Sequence, residues 1–143
     1  MKISNAGLTL IKTFEGFRAT PYRDVVGKLT IGFGHLIKAG EVFGAVSSIE
    51  ATSLLQVDVA FAEDCINSHV TSEISQDQFD ALVSFVYNLG CTNFLSSTLL
   101  KYVNLYNFEL AAAEFKKWNH AGGIVIAGLT NRRLAEAALF MKE

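Results

Sequence analysis

Residues 14–36 read FEGFRATPYRDVVGKLTIGFGHL, and no helical period survives in them. Pro21, Gly27, Gly32 and Gly34 interrupt any helix, since proline lacks the amide donor and glycine costs about 1 kcal/mol relative to alanine in a helix interior. The predicted form is a ribbon. One strand covers 19–24, a turn covers 25–28 with Gly27 at positive φ, and a return strand covers 29–33, where Thr30 and Ile31 are β-branched. Three polar residues punctuate the stretch: Glu15 before the ribbon, Asp24 at the end of the first strand and Thr30 near the start of the second. Glycosidic cleavage assisted by acid needs two carboxyl groups across a cleft, one protonated and one ionised, and a hydroxyl beside them can orient a water. Charges at such spacing also occur as ordinary surface residues, so the pattern alone leaves both readings open.

Outward from the ribbon the chain reads as helices. The first runs from a Ser4 or Asn5 cap to about residue 14, with Leu8, Ile11 and Phe14 on one face, and delivers Glu15 to the ribbon. Residues 35–47 show two glycines and no period, which predicts a loop. Ser47 and Glu50 form a capping-box pattern that opens one long helix to about residue 68. A second such pattern, Ser75 with Gln78, opens a helix apolar nearly all round, and therefore buried, which Gly90 ends. A short helix over 97–104, another capped by Asn107, a glycine-rich loop over 119–128 and a last helix over 129–141 complete the chain. The fold class is mainly α with one small antiparallel ribbon, organised as a single domain over 1–143: an amino-terminal ribbon lobe over about 15–46, and a helical lobe over about 68–143 plus the first helix.

Composition excludes several functions. No apolar run approaches the roughly 18–20 residues that cross a bilayer, and the amino-terminal stretch has neither the pattern of a signal peptide nor that of an anchor. Net charge is −2, but residues 1–40 carry six Lys/Arg against two acids, residues 41–100 none against eight, and residues 101–143 six against four. An anionic polymer would be drawn to surfaces formed by the two ends. Twelve basic residues divided in this way do not make a nucleic-acid face. Cys65 and Cys91 are too few for a disulfide framework and show no metal-ligand spacing, so they are expected as reduced core thiols. His35, far in sequence from His69 and His120, is expected to be a structural histidine bonded to a carboxylate, and Trp118 a core residue.

The string E-G-x-R, Y-x-D, glycine turn and T-I-G-x-G-H-L over residues 15–36 resembles the catalytic segment of the phage-type lysozymes, or endolysins, of glycoside hydrolase family 24. The resemblance continues through QFDALVSFVYNLG at 78–90, F-x-x-S-T-L-L from Phe94, and W-x-x-A-G-G and G-L-x-x-R-R-x-x-E between Trp118 and Glu136. Residues 35–47 match poorly, and Phe33 stands where the family commonly has tyrosine. The resemblance implies a lysozyme-like α+β fold in which a long helix joins the lobes. It implies Glu15 as general acid, Asp24 as partner carboxylate and Thr30 as water-orienting hydroxyl. Leu36, Tyr87 and Ser97 match positions that touch sugar, and Arg132 is expected to face the groove and pair with Glu15. The implied activity is that of a muramidase on the β-1,4 bond between N-acetylmuramic acid and N-acetylglucosamine in peptidoglycan, without metal or organic cofactor. The implied enzyme is a monomer with no nucleic-acid partner and no membrane insertion, held in the host cytoplasm until a separate pore-forming protein releases it. The rival functions are a cell-wall-binding domain without catalysis and a lytic transglycosylase.

Overall fold

The computed structural model describes residues 1–143. Helix α1 (Asn5–Glu15) leads into β1 (Arg18–Arg23), β2 (Leu29–Gly32) and β3 (His35–Leu36). Then follow α2 (Ser48–Asp58), α3 (Ala60–His69), α4 (Gln76–Leu89), α5 (Cys91–Leu95), α6 (Thr98–Asn104) and α7 (Phe108–Phe115). A second ribbon, β4 (His120–Ala121) and β5 (Ile124–Val125), precedes α8 (Ala127–Phe140). The mainly α class with a small antiparallel sheet is the one expected. By compactness the chain divides into residues 11–60 and residues 1–10 with 61–143.

In the unit of residues 11–60, the sheet is antiparallel in the order β1-β2-β3. Tyr22 faces Thr30 and Arg23 faces Leu29, but the register slips between Arg18 and Tyr22. Pro21 falls in that irregular stretch, where the missing amide breaks no ladder bond, and the Ala19 carbonyl there accepts the N–H of Val46 at 2.8 Å. The sheet packs against α2, whose amino terminus carries the full Ser47–Glu50 capping box. The contact depends on Gly32, because a β-carbon there would lie 2.9 Å from Cβ of Ala51, and its φ is +66°. Ile11, Ile31, Phe33, Val46, Ala51, Leu55 and Val59 form the buried apolar set of this unit.

In the other unit, α4 carries an unbroken buried run from Phe79 to Val86. The Phe85 ring meets Phe94, Phe115 and Trp118 edge-on at 5.5 to 6.2 Å; Trp118 is half-buried, at the margin of the core rather than within it as expected. Helix α8 lies on α4, and there Arg133 and Glu136 are both fully buried, joined by Nη2 to Oε2 at 2.9 Å. Ser84 of α4 donates to the same Oε2 at 2.6 Å. The Asn107 cap is present, its Oδ1 accepting from Leu110 N–H. Gly90 closes α4 with φ +88° but ψ 158°, a positive φ without the left-handed helical ψ.

Four expectations need correction. The segment after Gly34 is no simple loop: His35–Leu36 pair with Thr30–Ile31 as a third strand. The glycine-rich segment after Asn119 likewise forms a ribbon, with His120 opposite Val125. The long helix over 47–68 is two helices, α2 and α3, interrupted at Val59, whose N–H is shared between the Leu55 and Val57 carbonyls. Lastly, Cys65 and Cys91 are not free thiols but a disulfide, with Cα atoms 6.0 Å apart. The two cysteines are 26 residues apart, a pairing that no local pattern in the sequence encodes.

Candidate active site

Helix α1 ends at Glu15, and Gly16 follows at φ +73°, its N–H donating to the Lys12 carbonyl at 2.9 Å. A left-handed glycine ends a helix without steric cost, so the backbone of Glu15 is fixed in the last turn. Its carboxylate lies against Gly34, where a β-carbon would stand 2.8 Å from Oε1 and 3.6 Å from Cδ. Gly34 has φ +82°. Backbone conformation and space both require glycine there.

Asp24 occupies the hairpin turn. Its Oδ1 accepts the N–H groups of Val26 at 3.0 Å and Lys28 at 2.8 Å, while its own N–H donates to the Lys28 carbonyl at 2.9 Å. Such a side chain closes the turn on itself. Thr30, opposite Tyr22 on one side and Leu36 on the other, is 3% exposed. Its hydroxyl donates to that same Lys28 carbonyl at 2.9 Å. The peptide groups of Lys28 thus hold the Asp24 carboxylate through N–H and the Thr30 hydroxyl through C=O. Two candidate groups six residues apart are thereby fastened to one residue. Sequence reasoning missed Lys28 and Gly34 as positioning residues; the glycine was legible only as a helix breaker.

Behind the ribbon, His35 is 4% exposed and bonded at both nitrogens, Nδ1 to Asp58 Oδ2 at 2.8 Å and Nε2 to Glu41 Oε1 at 3.1 Å. Burial pulls its pKa down, but the hydrogen bonds and charges of Asp58 and Glu41 outweigh this, and the net shift is upward from 6.5. The Lys38 N–H, bonded to Glu41 at 2.7 Å, and then His35 hold the Glu41 carboxyl below its ordinary value. An imidazolium clasped between two carboxylates is a fastener, which agrees with the structural role expected.

The remaining candidates differ in setting. Leu36 is exposed at 47%. Tyr87, on α4, is half-buried with its ring 6.2 Å from that of Phe61. The Ser97 hydroxyl caps α6, accepting from Leu100 N–H at 3.1 Å and donating to the Phe94 carbonyl at 2.6 Å. Ser97 also lines an open hollow of about 320 Å³ with Thr98, Glu114, Lys117 and Trp118. Arg132 is 3% exposed and donates to Glu136 Oε2 at 3.4 Å and the Ser84 carbonyl at 3.2 Å.

A family profile described as phage lysozyme matches residues 12–136, the span that holds Glu15, Asp24, Thr30 and the buried Arg133–Glu136 pair. The chain belongs to the phage lysozyme family. Within that family it is 44% identical over 142 residues to the endolysin of Bacillus phage PZA, covering 98% of this chain and 55% of that protein. The endolysin of Salmonella phage P22 is 38% identical over 148 residues, covering 99% of both chains. The chain spans about half the length of the Bacillus phage relatives it matches. Among solved structures, the muramidase domain of SpmX from Asticaccaulis excentricus superimposes with a TM-score of 0.90 at 36% identity, covering 99% of each chain. A mutant of P22 lysozyme superimposes with a TM-score of 0.90 at 36% identity over 99% of each chain, so the likeness includes residues 35–47, where the sequence resemblance was weak.

Proposed function

We propose that this phage lysozyme is an endolysin muramidase that hydrolyses the β-1,4 bond between N-acetylmuramic acid and N-acetylglucosamine in peptidoglycan, with inversion. The observation that carries the reading is the joint anchoring of Asp24 and Thr30 on Lys28, alongside a Glu15 carboxylate seated against Gly34. Glu15 gives its proton to the leaving glycosidic oxygen. The Thr30 proton is committed to the Lys28 carbonyl, so its oxygen offers a water lone pairs alone. One water proton is accepted by Thr30 Oγ1 and the other by Asp24 Oδ2, which leaves the water's lone pair aimed at the anomeric carbon. Asp24 takes up the proton as the C–O bond forms. A water held in this way attacks from the face opposite the leaving group and needs carboxyl groups roughly 6.5–9.5 Å apart, against about 5–5.5 Å for a direct nucleophile.

Leu36, Tyr87, Ser97 and Arg132 are assigned to the glycan groove. The exposure of Leu36 and the hollow beside Ser97 support the first and third. No metal or organic cofactor takes part. The enzyme acts as a monomer, waits in the host cytoplasm, and reaches the wall when a separate pore-forming protein opens the inner membrane. No helix of the chain is long and apolar enough to cross a membrane.

The test is clearing of purified peptidoglycan by wild type and Glu15→Gln, with early-time NMR of the anomeric protons released from a soluble oligomer. The expected results are loss of clearing in the variant and initial accumulation of the α-anomer. Equal rates would remove Glu15 as acid, early β-anomer would make Asp24 a nucleophile, and 1,6-anhydro products would make the enzyme a transglycosylase.

A further inference from the structure

Cys65 and His69 stand four residues apart on α3 and so share one face of it. Cys91, the first residue of α5, closes on them from a distant part of the chain. The two sulfurs and a ring nitrogen of His69 all lie within 4.8 Å of one another. His69 Nδ1 is 2.9 Å from the Cys65 carbonyl. A carbonyl can only accept, so Nδ1 carries a proton, and in the neutral ring Nε2 is the nitrogen with a lone pair for a metal, as in many metal-binding histidines. Lysozyme chemistry uses none of these three residues.

We propose that reduction of the Cys65–Cys91 disulfide uncovers a site for a thiophilic divalent cation of the zinc class, held by both sulfurs and His69. A dithiol reductant supplies two electrons and two protons: the Sγ–Sγ bond breaks, both cysteines become thiols, and the reductant becomes a disulfide. Cys91 is half-buried and Cys65 buried, so attack falls on Cys91 and expels the Cys65 thiolate. On binding the cation, the two thiols release their protons to solvent, and a water fills the fourth position. Tetrahedral zinc–sulfur bonds of about 2.3 Å set sulfurs about 3.8 Å apart. Side-chain rotation supplies that opening while α3 and α5 stay in place. His69 is exposed, which gives the cation a path. In an oxidising medium the disulfide ties α3 to α5; in a reducing one the metal does.

The test uses the full chain, reduced with a phosphine, transferred anaerobically to chelator-free buffer and titrated with Co²⁺. Saturation is expected at a single Co²⁺ per chain, with a sulfur-to-cobalt charge-transfer band and the intense d–d bands of tetrahedral coordination. The oxidised chain should show neither. His69→Ala, a change at an exposed position, should weaken binding about tenfold or more. Zn²⁺ should displace Co²⁺ and raise the melting temperature of the reduced chain only. If reduction alone unfolds the chain, Co²⁺ added beforehand should preserve native circular dichroism. Absence of thiolate bands in reduced protein, failure of Co²⁺ to preserve the fold, equal binding by the oxidised chain, or unchanged affinity in His69→Ala would each overturn the site.

Discussion

A methyl group at position 34 would meet the Glu15 carboxylate at 2.8 Å on a backbone held at φ +82°. Gly34→Ala is therefore expected to act twice: about 1–2 kcal/mol of stability is lost to the left-handed backbone, and turnover falls about a hundredfold as the acid is pushed off its position. Thermal melts beside peptidoglycan clearing separate the two effects, and a variant as active as wild type would show that the carboxylate has room to spare. Thr30→Val keeps shape but deletes the hydroxyl. The Asp24 N–H still serves the Lys28 carbonyl, so stability should change by only about 1 kcal/mol, while kcat drops about a hundredfold or more with little change in KM. Steady-state kinetics on a soluble oligomer decide it; a rise in KM at constant kcat would assign Thr30 to binding. At this scale the pattern of Glu15 before the ribbon and Asp24 and Thr30 within it left a bland surface reading open, and the proposed roles of the three come from the family resemblance. Lys28 escaped notice because it works through its peptide groups, which every residue has.

His35 fastens one element to another, joining β3 to the last residue of α2 through Asp58 and to the following segment through Glu41. Its pKa is raised on folding, so the protonated clasp adds stability in full below the unfolded value of 6.5, and that contribution is lost as pH rises through the folded value. Glu41 runs the other way, with its contribution present above 4.5 and lost as pH falls through its lowered folded value. Melting temperature should thus fall on the alkaline side of the plateau between these limits. His35→Gln should flatten that limb; an unchanged slope in scanning calorimetry would assign it to another group. The capping box that opens α2 was legible from two residues. The break at Val59 was not, because no glycine or proline marks it in the sequence. Between α4 and α8, Glu136→Ala strands the fully buried Arg133, and urea denaturation should show a loss of about 3–5 kcal/mol. A loss below 1 kcal/mol would mean that water replaces the carboxylate there.

Across the whole molecule, the Cys65–Cys91 cross-link closes a loop of 26 residues, and removing it should cost about 3 kcal/mol by restoring freedom to the unfolded chain. Cys65→Ala with Cys91→Ala should lower the denaturation midpoint yet keep peptidoglycan turnover; a folded but inactive variant would tie the cross-link to catalysis. Here the reach of the sequence ends. The capped starts of α2, α4, α6 and α7, the hairpin turn and the buried character of α4 were present in the sequence, because capping, φ preference and apolar periodicity act over a few neighbouring residues. The third strand, the second ribbon, the division at Val59, the disulfide and the His35 clasp were decided only by tertiary structure. Each joins groups through the packing of separate elements, or is a two-residue strand pair too short to carry a period, and the free energy that selects such pairings resides in the assembled fold.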